Sequence, residues 1–379
     1  MTVTRDDVAR AAGVSVATVS YVLNGGPRRV SEEKRLRVLR AVAALGYRPN
    51  AIARSLRARR TRILGLVLPD SANPYFAALS HSIEEAAEAR GYQVVVANAA
   101  ERPEREATHI EALLRLQVDG LFWIPADLHW SAPSGDSAPG GESGPGGDPV
   151  LASPARLAGR PAGVPTVQVD RSITPPVGEG GAQDFDVVEA DNVSGGRLAT
   201  EHVLGLGHRR IACLAGPAGH RHAQARLQGF RETLAAWWAA GAVRGDGVAP
   251  PPYVAHGGFD YASGATIAAR WCALPAAERP TAIVCGNDAM AIGALSAIAR
   301  AGLRVPADIS ITGYDDLPQA VYTIPPLTTV AQPAGAIAAA AVERLLSRIE
   351  CPEKALLPVH TILPVRLIVR ESTAAAAVL

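Results

Sequence analysis

The chain has 379 residues, of which 48% are hydrophobic, so it is long enough to form two or three domains with sizeable cores. The formal net charge of +1 conceals an asymmetry, because residues 1–62 contain fourteen Lys or Arg and four Asp or Glu, while the remainder contains 23 and 32. A basic head on an acidic body favours a polyanion as the partner of the head, because clustered cations release counterions from phosphates. A solvated charged helix is the simpler alternative.

The four cysteines show no paired or metal-ligand spacing, which argues against a zinc site and a disulfide framework. Asp6 and Asp7 lie where a signal peptide would carry its apolar segment, and no run approaches the 18 apolar residues of a membrane span. We therefore expect a cytoplasmic protein with no metal, no cofactor and no membrane partner.

Residues 1–47 predict a helix-turn-helix followed by a third helix. Thr4 and Asp7 have the spacing of a helix cap. Gly13 permits a tight turn, and Ser15 can cap a second helix with an apolar stripe. Ser31 can cap the third helix, which ends at Gly46 and carries on one face Arg35, Val38, Val42 and Leu45.

The second helix is the candidate recognition helix, because such a helix enters the major groove of DNA by its N-terminal residues. Val16 and Ala17 are at that end, and Tyr21 lies one turn further along the same face. These three are the base-contacting candidates. The phosphate-contacting candidates carry a hydroxyl or amide group. The complete predicted set in the head is Thr4, Val16, Ala17, Thr18, Ser20, Tyr21 and Asn24.

The stretch "DDVARAAGVSVATVSYVLN…VSEEKRLRVLRAVAALGYRPNAIARSL" resembles the head of the lactose-repressor (LacI/GalR) family of transcriptional regulators. The resemblance implies that residues 48–62 form a hinge helix, in which Leu56 wedges into the minor groove while Ala53 and Arg57 line it. A basic linker is the alternative for this segment. Tyr21 departs from the family, whose members usually carry a long basic or imidazole side chain there.

The body, residues 63–379, alternates apolar strand-like runs such as "ILGLVLP", "YQVVVANA" and "TAIVCGND" with helical runs. Strands that are apolar throughout are typical of parallel sheets covered on both faces. The pattern predicts two doubly wound lobes, the first over about 63–192 and 331–379 and the second over about 193–330, as in the periplasmic-binding-protein-like fold of the family. Residues 131–149 are rich in Gly, Pro and Ser, which predicts a disordered insertion.

Ligands bind beyond the carboxyl ends of the strands in such sheets. Asn73 follows the first strand of the body, although it could instead cap the next helix; Tyr75 or Phe76 could stack on a sugar or purine. Asp315 ends a later strand, where its carboxylate would accept hydrogen bonds from a ligand.

The family resemblance adds further positions in this cleft. It places a ligand-binding arginine at Arg226, a ligand contact at Asn287 and an aromatic stacking residue at Phe259. His220 and His222 stand where purine-binding members carry an arginine and a threonine, which weakens a purine assignment. The complete predicted set in the cleft is Asn73, Tyr75, Phe76, His220, Arg226, Phe259, Asn287, Asp315 and Gln332.

The sequence thus predicts a DNA-binding transcriptional regulator, a repressor whose operator affinity is controlled by a small molecule between the lobes. A sugar is the first expectation, and a purine or nucleoside corepressor is the second. A solute-binding protein would share the body fold but would need an export signal. The absence of GxSxG, Walker-loop and HExxH motifs argues against an enzyme. Two-fold pairing of heads on a palindromic operator predicts a homodimer.

Overall fold

The structure is a computed structural model, and it describes residues 3–24, 29–47, 60–126, 164–172, 185–240, 253–351 and 357–376. The chain divides into two compact units, residues 1–61 and 62–379. The helices of the first unit are α1 (Arg5–Ala12), α2 (Val16–Asn24) and α3 (Glu32–Leu45). The predicted hinge over 48–62 lies largely outside the described residues, as does the insertion over 131–149.

The caps of the first unit form as the sequence predicts, with one exception. Thr4 and Asp7 make a reciprocal capping box, in which the Asp7 carboxylate accepts from the Thr4 backbone N–H at 2.9 Å. Gly13 ends α1 in the left-handed conformation at φ 61°, which explains why glycine is needed there. The hydroxyl of Ser15 accepts from the backbone N–H of Thr18. Ser31 occupies the cap position of α3 but makes no side-chain capping bond.

The core that the described residues of the first unit form is small and lies between α1, α2 and α3. Val8, Val19 and Val38 are fully buried in it, and Tyr47 closes one end. Leu45, predicted on the same face as Val38, is instead 37% exposed. After Gly46 the chain turns back so that the backbone N–H of Tyr47 donates to the carbonyl of Val42, and the tyrosine covers the core where Leu45 was expected.

The second unit contains two six-stranded sheets. Its strands are β1 (Ile63–Leu68), β2 (Gln93–Asn98), β3 (Gly120–Trp123), β4 (Thr166–Val169), β5 (Asp186–Ala190), β6 (Ile211–Ala215), β7 (Tyr253–His256), β8 (Ala282–Cys285), β9 (Ser310–Asp315), β10 (Thr328–Ala331), β11 (His360–Leu363) and β12 (Arg366–Ile368). Its helices are α4 (Pro74–Glu88), α5 (Pro103–Arg115), α6 (Asn192–Gly205), α7 (Arg221–Ala239), α8 (Tyr261–Cys272), α9 (Asp288–Arg300) and α10 (Ala334–Glu350), with a short 3-10 helix at Pro318–Val321.

The first sheet has the order β11-β5-β4-β3-β1-β2 and is parallel throughout. The second has the order β12-β10-β9-β8-β6-β7 and is parallel except for β12, which runs antiparallel to β10. Seven strands, β3 to β6 and β8 to β10, are buried along their whole length, as expected when helices cover both faces. The two predicted parallel-sheet lobes are therefore confirmed.

The lobe boundary near the C-terminus differs from the predicted one. The sequence analysis assigned all of 331–379 to the first lobe, but only α10 and β11 belong there. The chain then crosses over, because Leu367 pairs with Val330 in the second sheet. The following segment stays on the second lobe, where the Ser372 hydroxyl accepts from the backbone N–H of Thr328. Followed through the described strands, the chain therefore passes between the lobes three times, after β5, after β10 and after β11.

Within the described ranges, no helix combines the length and the apolar character that crossing a bilayer requires.

Candidate functional site

A cleft of about 320 Å³ opens at the carboxyl ends of the strands, between the two lobes. The structure brings eight of the nine predicted cleft residues to its walls, and adds three that were not predicted. The lining residues are Asn73, Tyr75, Phe76, Asp170, Arg171, His220, His222, Arg226, Phe259, Asn287 and Asp315. The ninth, Gln332, is buried next to the cleft, where it contacts Tyr75 and Asp315. That these residues bind an effector stays a prediction.

Arg226 is held rigidly in the second turn of α7. Its Nε donates to Asn192 Oδ1 at 2.8 Å and its Nη1 donates to the Gly286 carbonyl at 2.6 Å. The guanidinium lies 3.7 Å from the centre of the Tyr314 ring, a cation–π contact. A five-donor fork fixed in this way can present its remaining N–H groups to a ligand without first losing side-chain freedom.

The backbone of α7 reaches this position because α6 and α7 cross very closely. A methyl group on Gly229 would overlap the carbonyl oxygen of Val193, and one on Gly196 would overlap the carbonyl oxygen of Arg226. The glycine of the "LQGF" stretch is thus needed for close helix approach rather than for turn geometry. The close crossing holds the backbone of Arg226 against α6.

Asp315 belongs to a hydrogen-bonded chain that links both lobes. Gln332 Nε2 donates to Asp315 Oδ1 at 2.8 Å, and Gln332 Oε1 lies 3.3 Å from the Tyr75 hydroxyl. That hydroxyl donates to Asp170 Oδ1 at 2.7 Å. Burial raises the pKa of Asp315 to about 7, although Arg226 and Gln332 act in the opposite direction. The carboxyl of Asp315 therefore changes protonation near neutral pH.

Two predicted asparagines also serve as helix caps. Asn73 Oδ1 accepts from the backbone N–H of Tyr75 at 3.0 Å, which is the alternative role considered for it. Asn287 Oδ1 accepts from the backbone N–H of Met290 at 2.9 Å, and its amide nitrogen donates to the Phe259 carbonyl. Asp288, the next residue along the chain, accepts from the Thr329 hydroxyl and from the backbone N–H of Leu317.

Three lining residues have positive φ angles that side chains rarely adopt. They are Asp170 at 62°, Phe259 at 62° and Asp315 at 115°. Each such conformation costs about 1–3 kcal/mol and persists only where the surroundings enforce it. Strain concentrated at three walls of one cleft is typical of a preorganised binding site.

The predicted set did not include Asp170, Arg171 or His222, although the family resemblance had placed His222 at a purine-contacting position. Asp170 directly follows β4, so the strand-end rule that found Asp315 could have found it. Arg171 makes two bonds of 3.1 Å to Glu101 and stacks 4.8 Å from the Phe76 ring. These contacts join segments that are far apart in sequence, so no local sequence pattern predicts them. His222 lies in the first turn of α7.

In the first unit, the N-terminal end of α2 presents its candidate base-contacting residues to solvent. Val16 is 39% exposed, Ala17 is exposed and Tyr21 is half-buried. Thr18 and Ser20 are also half-buried, and the Thr18 hydroxyl lies 2.9 Å from that of Ser15. Thr4 is exposed within its capping box. The side chain of Asn24 and all of Ala53, Leu56 and Arg57 lie outside the described residues.

Taken with its basic helix-turn-helix unit, this two-lobed body with a cleft at the strand ends defines a class: regulators that join a DNA-binding head to a periplasmic-binding-protein-like domain. Comparisons with known proteins agree. Residues 4–50 match the model of bacterial regulatory proteins of the lacI family, residues 61–133 that of periplasmic binding proteins and the sugar binding domain of the LacI family, and residues 200–373 that of a periplasmic binding protein-like domain.

Similar proteins span almost the full chain. The ribose operon repressor of Escherichia coli K12 is 35% identical over 92% of this chain and 94% of its own length. The PurR repressor of Aliivibrio fischeri is 33% identical over 91% of both. The lac repressor dimer bound to operator and the anti-inducer ONPF superimposes with a TM-score of 0.77 at 30% identity, over 99% of this chain and 100% of that one. The chain belongs to the LacI family of bacterial transcriptional regulators.

Proposed function

We propose that this protein is a transcriptional repressor whose affinity for a palindromic DNA operator is set by a sugar bound in the cleft between the lobes. The observation that carries the proposal is the pairing of Arg226 and Asp315, fixed side by side in a cleft with Phe76 and Phe259 on its walls. Fixed donors and acceptors combined with apolar ring faces suit the hydroxyls and the C–H faces of a sugar.

Ribose is the first sugar to test. The relative that suggests it is a ribose operon repressor, and the matching body model describes a sugar binding domain.

A purine corepressor is the second candidate. The observation that favours it is the placement of Phe259, whose ring contacts that of His220 edge to face at a centroid distance of 5.5 Å and lines the cleft. Such an aromatic wall could stack on a planar base, and a PurR repressor is among the similar proteins.

On the DNA side, we propose that the exposed N-terminal end of α2 reads bases in the major groove while hydroxyl groups position the head on phosphates. Since one head reads one half-site, the active form is a homodimer. An exposed apolar segment of the second lobe supports self-association: Tyr322 is 82% exposed and Ile324 is 95% exposed. Apolar patches of this kind mark interaction surfaces. The role that we propose is that of a cytoplasmic protein without catalytic activity.

The experiment is a fluorescence-anisotropy titration of the protein on the DNA upstream of its own gene, repeated with D-ribose, other sugars, hypoxanthine and guanine. Release by a sugar supports the proposal. Tightening by a purine establishes corepression instead. A response to no member of the panel, or consumption of any of them, contradicts the proposed function.

A further inference from the structure

Two consecutive residues where β9 ends hold a backbone conformation that side chains rarely adopt. Asp315 has φ 115° and Asp316 has φ 57°, although neither is a glycine. Such a conformation is unfavourable and persists only where its surroundings enforce it. Asp315 carries the carboxylate that lines the cleft, whereas Asp316 does not line it. The contacts that enforce this turn therefore decide where the Asp315 carboxylate lies.

Arg370 fixes the second residue of the turn. Its Nη2 donates to Asp316 Oδ1 at 2.6 Å, and the two side chains are 17% and 25% exposed. Its Nη1 donates to the carbonyl of Leu327 at 2.8 Å. The next residue of the turn has a separate partner, because the backbone N–H of Leu317 donates to Asp288 Oδ2 at 2.8 Å. The side chain of Asp316 is thus held by Arg370, and Leu317 is held without it.

Arg370 is itself held by the C-terminal segment that follows β12. Its backbone N–H donates to the Thr328 hydroxyl at 2.9 Å. The hydroxyl of Ser372, which is fully buried, accepts from the backbone N–H of Thr328 and donates to the carbonyl of Ile311. The backbone on either side of the arginine is therefore fixed on the second sheet, and its guanidinium reaches Asp316 from a rigid support.

The first residue of the turn makes the contacts inside the cleft. Asp315 Oδ1 accepts from Gln332 Nε2 at 2.8 Å and lies 3.8 Å from Arg226 Nη1. Arg370 does not line the cleft. An effect of Arg370 on a ligand must therefore pass through the backbone of the turn.

We propose that Arg370 is a positioning residue for effector recognition: by binding Asp316 it keeps the turn after β9 in the conformation that directs the Asp315 carboxylate into the cleft. The inference rests on the proposed function, since it concerns the same cleft. It gives the C-terminal segment a role in ligand recognition, although that segment contributes no side chain to the cleft walls.

Arg370 could instead serve only to anchor the C-terminal segment, and a glycine at position 316 separates these roles. Glycine adopts a positive φ without steric cost, so the turn of Asp316→Gly does not need Arg370. Isothermal titration of D-ribose into the full chain is compared for the wild type, Arg370→Ala, Asp316→Gly and the double variant. We expect Arg370→Ala to weaken binding about tenfold, the size of one lost hydrogen bond. Asp316→Gly and the double variant should bind equally, within about twofold of the wild type.

A matched pair of variants tests the inference without changing Arg370. Asp316→Ala and Asp316→Gly both lack the carboxylate, and only glycine relieves the positive φ. Asp316→Ala should therefore weaken ribose binding in the same direction as Arg370→Ala, and Asp316→Gly should not. Arg304→Ala is the control, because it breaks an arginine–aspartate pair of 3.1 Å elsewhere on the second lobe and should bind like the wild type.

Operator affinity without ligand should be unchanged in every variant, which shows that each one folds. If Arg370→Ala does not fold, the comparison of Asp316→Ala with Asp316→Gly decides the question. Three results would overturn the inference while leaving the sugar proposal intact: unchanged ribose affinity in Arg370→Ala, the same loss from Arg370→Ala in the glycine background, or equal affinities of Asp316→Ala and Asp316→Gly.

A second measurement needs no ligand. Carboxyl NMR of the full chain labelled with ¹³C-aspartate follows the titration of Asp315, and Asp315→Asn identifies its signal. Burial raises the pKa of this carboxyl to about 7 in the wild type. The other ionisable groups that act on it stay the same in the variants of Arg370 and Asp316; they are Arg226, Asp170, Asp288, Tyr75 and Tyr314.

The direction of the change in this pKa distinguishes positioning from a simple loss of charge. Removing the positive charge of Arg370 alone would raise the pKa of Asp315 further, whereas release of the carboxyl toward water should lower it toward the ordinary aspartate value. A lower pKa in Arg370→Ala that returns to about 7 in the double variant with Asp316→Gly supports the inference. An unchanged or higher pKa in Arg370→Ala contradicts it.

The failure of the sugar proposal would be visible separately. If the wild type binds hypoxanthine and not D-ribose, the sugar proposal fails, and the same variants titrated with hypoxanthine decide the role of Arg370. If the wild type binds neither compound, the titration of Asp315 decides it alone.

Discussion

Arg226 and Asp315 face each other with 3.8 Å between guanidinium Nη1 and carboxylate Oδ1, and their side chains are only 10% and 4% exposed. This separation is longer than a hydrogen bond, because Nη1 is committed to the carbonyl of Gly286 and Oδ1 to Gln332. The two charges attract each other but form no direct hydrogen bond, so each keeps its other hydrogen-bonding positions for a ligand. A ligand can therefore donate to the carboxylate and accept from the guanidinium at the same time.

Replacing Arg226 by Ala should abolish the effector response and leave operator affinity without effector unchanged. Removing one member of a buried, hydrogen-bonded charge pair costs about 2–5 kcal/mol, which corresponds to a loss of effector affinity of about 30-fold or more. Titration calorimetry with D-ribose and anisotropy on operator DNA measure the two quantities. Arg226→Lys keeps the positive charge but loses the planar guanidinium. Its effector affinity should lie between that of the wild type and that of Arg226→Ala. Loss of DNA binding by Arg226→Ala in the absence of effector would show that the cleft assignment is wrong.

Effector affinity should rise with pH through neutrality. Burial raises the pKa of Asp315 in the folded protein from 3.8 to about 7, so the carboxyl is largely protonated near pH 6 and largely ionised near pH 8. An effector whose hydroxyls donate to the carboxylate binds the ionised form better, and binding then releases a proton. Affinity measured between pH 6 and pH 8.5 should increase, and the heat of binding near pH 7 should depend on the ionisation enthalpy of the buffer.

The matched control for this pH effect is Asp315→Asn, which has the same shape and no titration. Its affinity should be lower than that of the wild type and flat over the same pH interval. If the effector affinity of Asp315→Asn still rose through pH 7, the group that titrates would be a residue other than Asp315.

The two-lobed fold was predictable because its signals are local. Runs that are apolar throughout are typical of buried parallel strands, and residues at strand ends gather at one edge, which placed Asn73 and Asp315 correctly in the cleft. The sheet that β12 joins was not predictable from local signals. It follows β11 by only a few residues, yet its pairing with Val330 depends on long-range contacts in the other lobe.

Among the residues that the sequence did not predict, some had a local signal and others depend on long-range contacts. Asp170 had a local signal that went unused. Glu189 does not line the cleft, and its partners are two histidines, one 33 and one 171 residues away in sequence. A carboxylate in the middle of the apolar run "FDVVEAD" is nevertheless a usable signal. A charge in a strand buried on both faces must find partners, since an unpaired one would be very unfavourable.

Gly229→Ala should impair effector binding through the backbone. The added methyl group overlaps the carbonyl oxygen of Val193, so α6 and α7 must separate and Arg226 must shift. We expect a lower free energy of unfolding, by about 1–3 kcal/mol, as for other overpacked sites, together with a reduced ribose affinity. Urea unfolding and calorimetry measure both. Gly205→Ala is the control, because a methyl group there meets nothing within 4 Å. If both substitutions changed the free energy of unfolding and the ribose affinity equally, the close approach of α6 and α7 would not explain the effect of Gly229→Ala.

Ile324→Asp should weaken self-association and, with it, operator binding. A charge in the centre of an apolar interface loses hydration without a partner, and the side chain is 95% exposed in the single chain, so folding should be unaffected. Sedimentation velocity should show monomers at concentrations where the wild type is dimeric. Leu357→Asp, at a leucine that is 82% exposed elsewhere on the body, serves as the control. A dimer that persists in Ile324→Asp would place the interface on another surface.

Tyr21 should contribute to the choice of operator sequence. It is half-buried and follows Ala17 by one helical turn of α2. Its hydroxyl can make one hydrogen bond to a base, and its ring can pack on a thymine methyl. Tyr21→Ala should relax the preference at one base pair by about 1–3 kcal/mol, the range for a specific base contact.

Tyr21→Phe separates the contribution of the hydroxyl from that of the ring, and Tyr21→Arg should create a preference for guanine through a bidentate contact. Binding to a library of operators randomised one position at a time measures these changes. A uniform loss across all sequences in Tyr21→Ala would show instead that this side chain positions the head on the phosphate backbone.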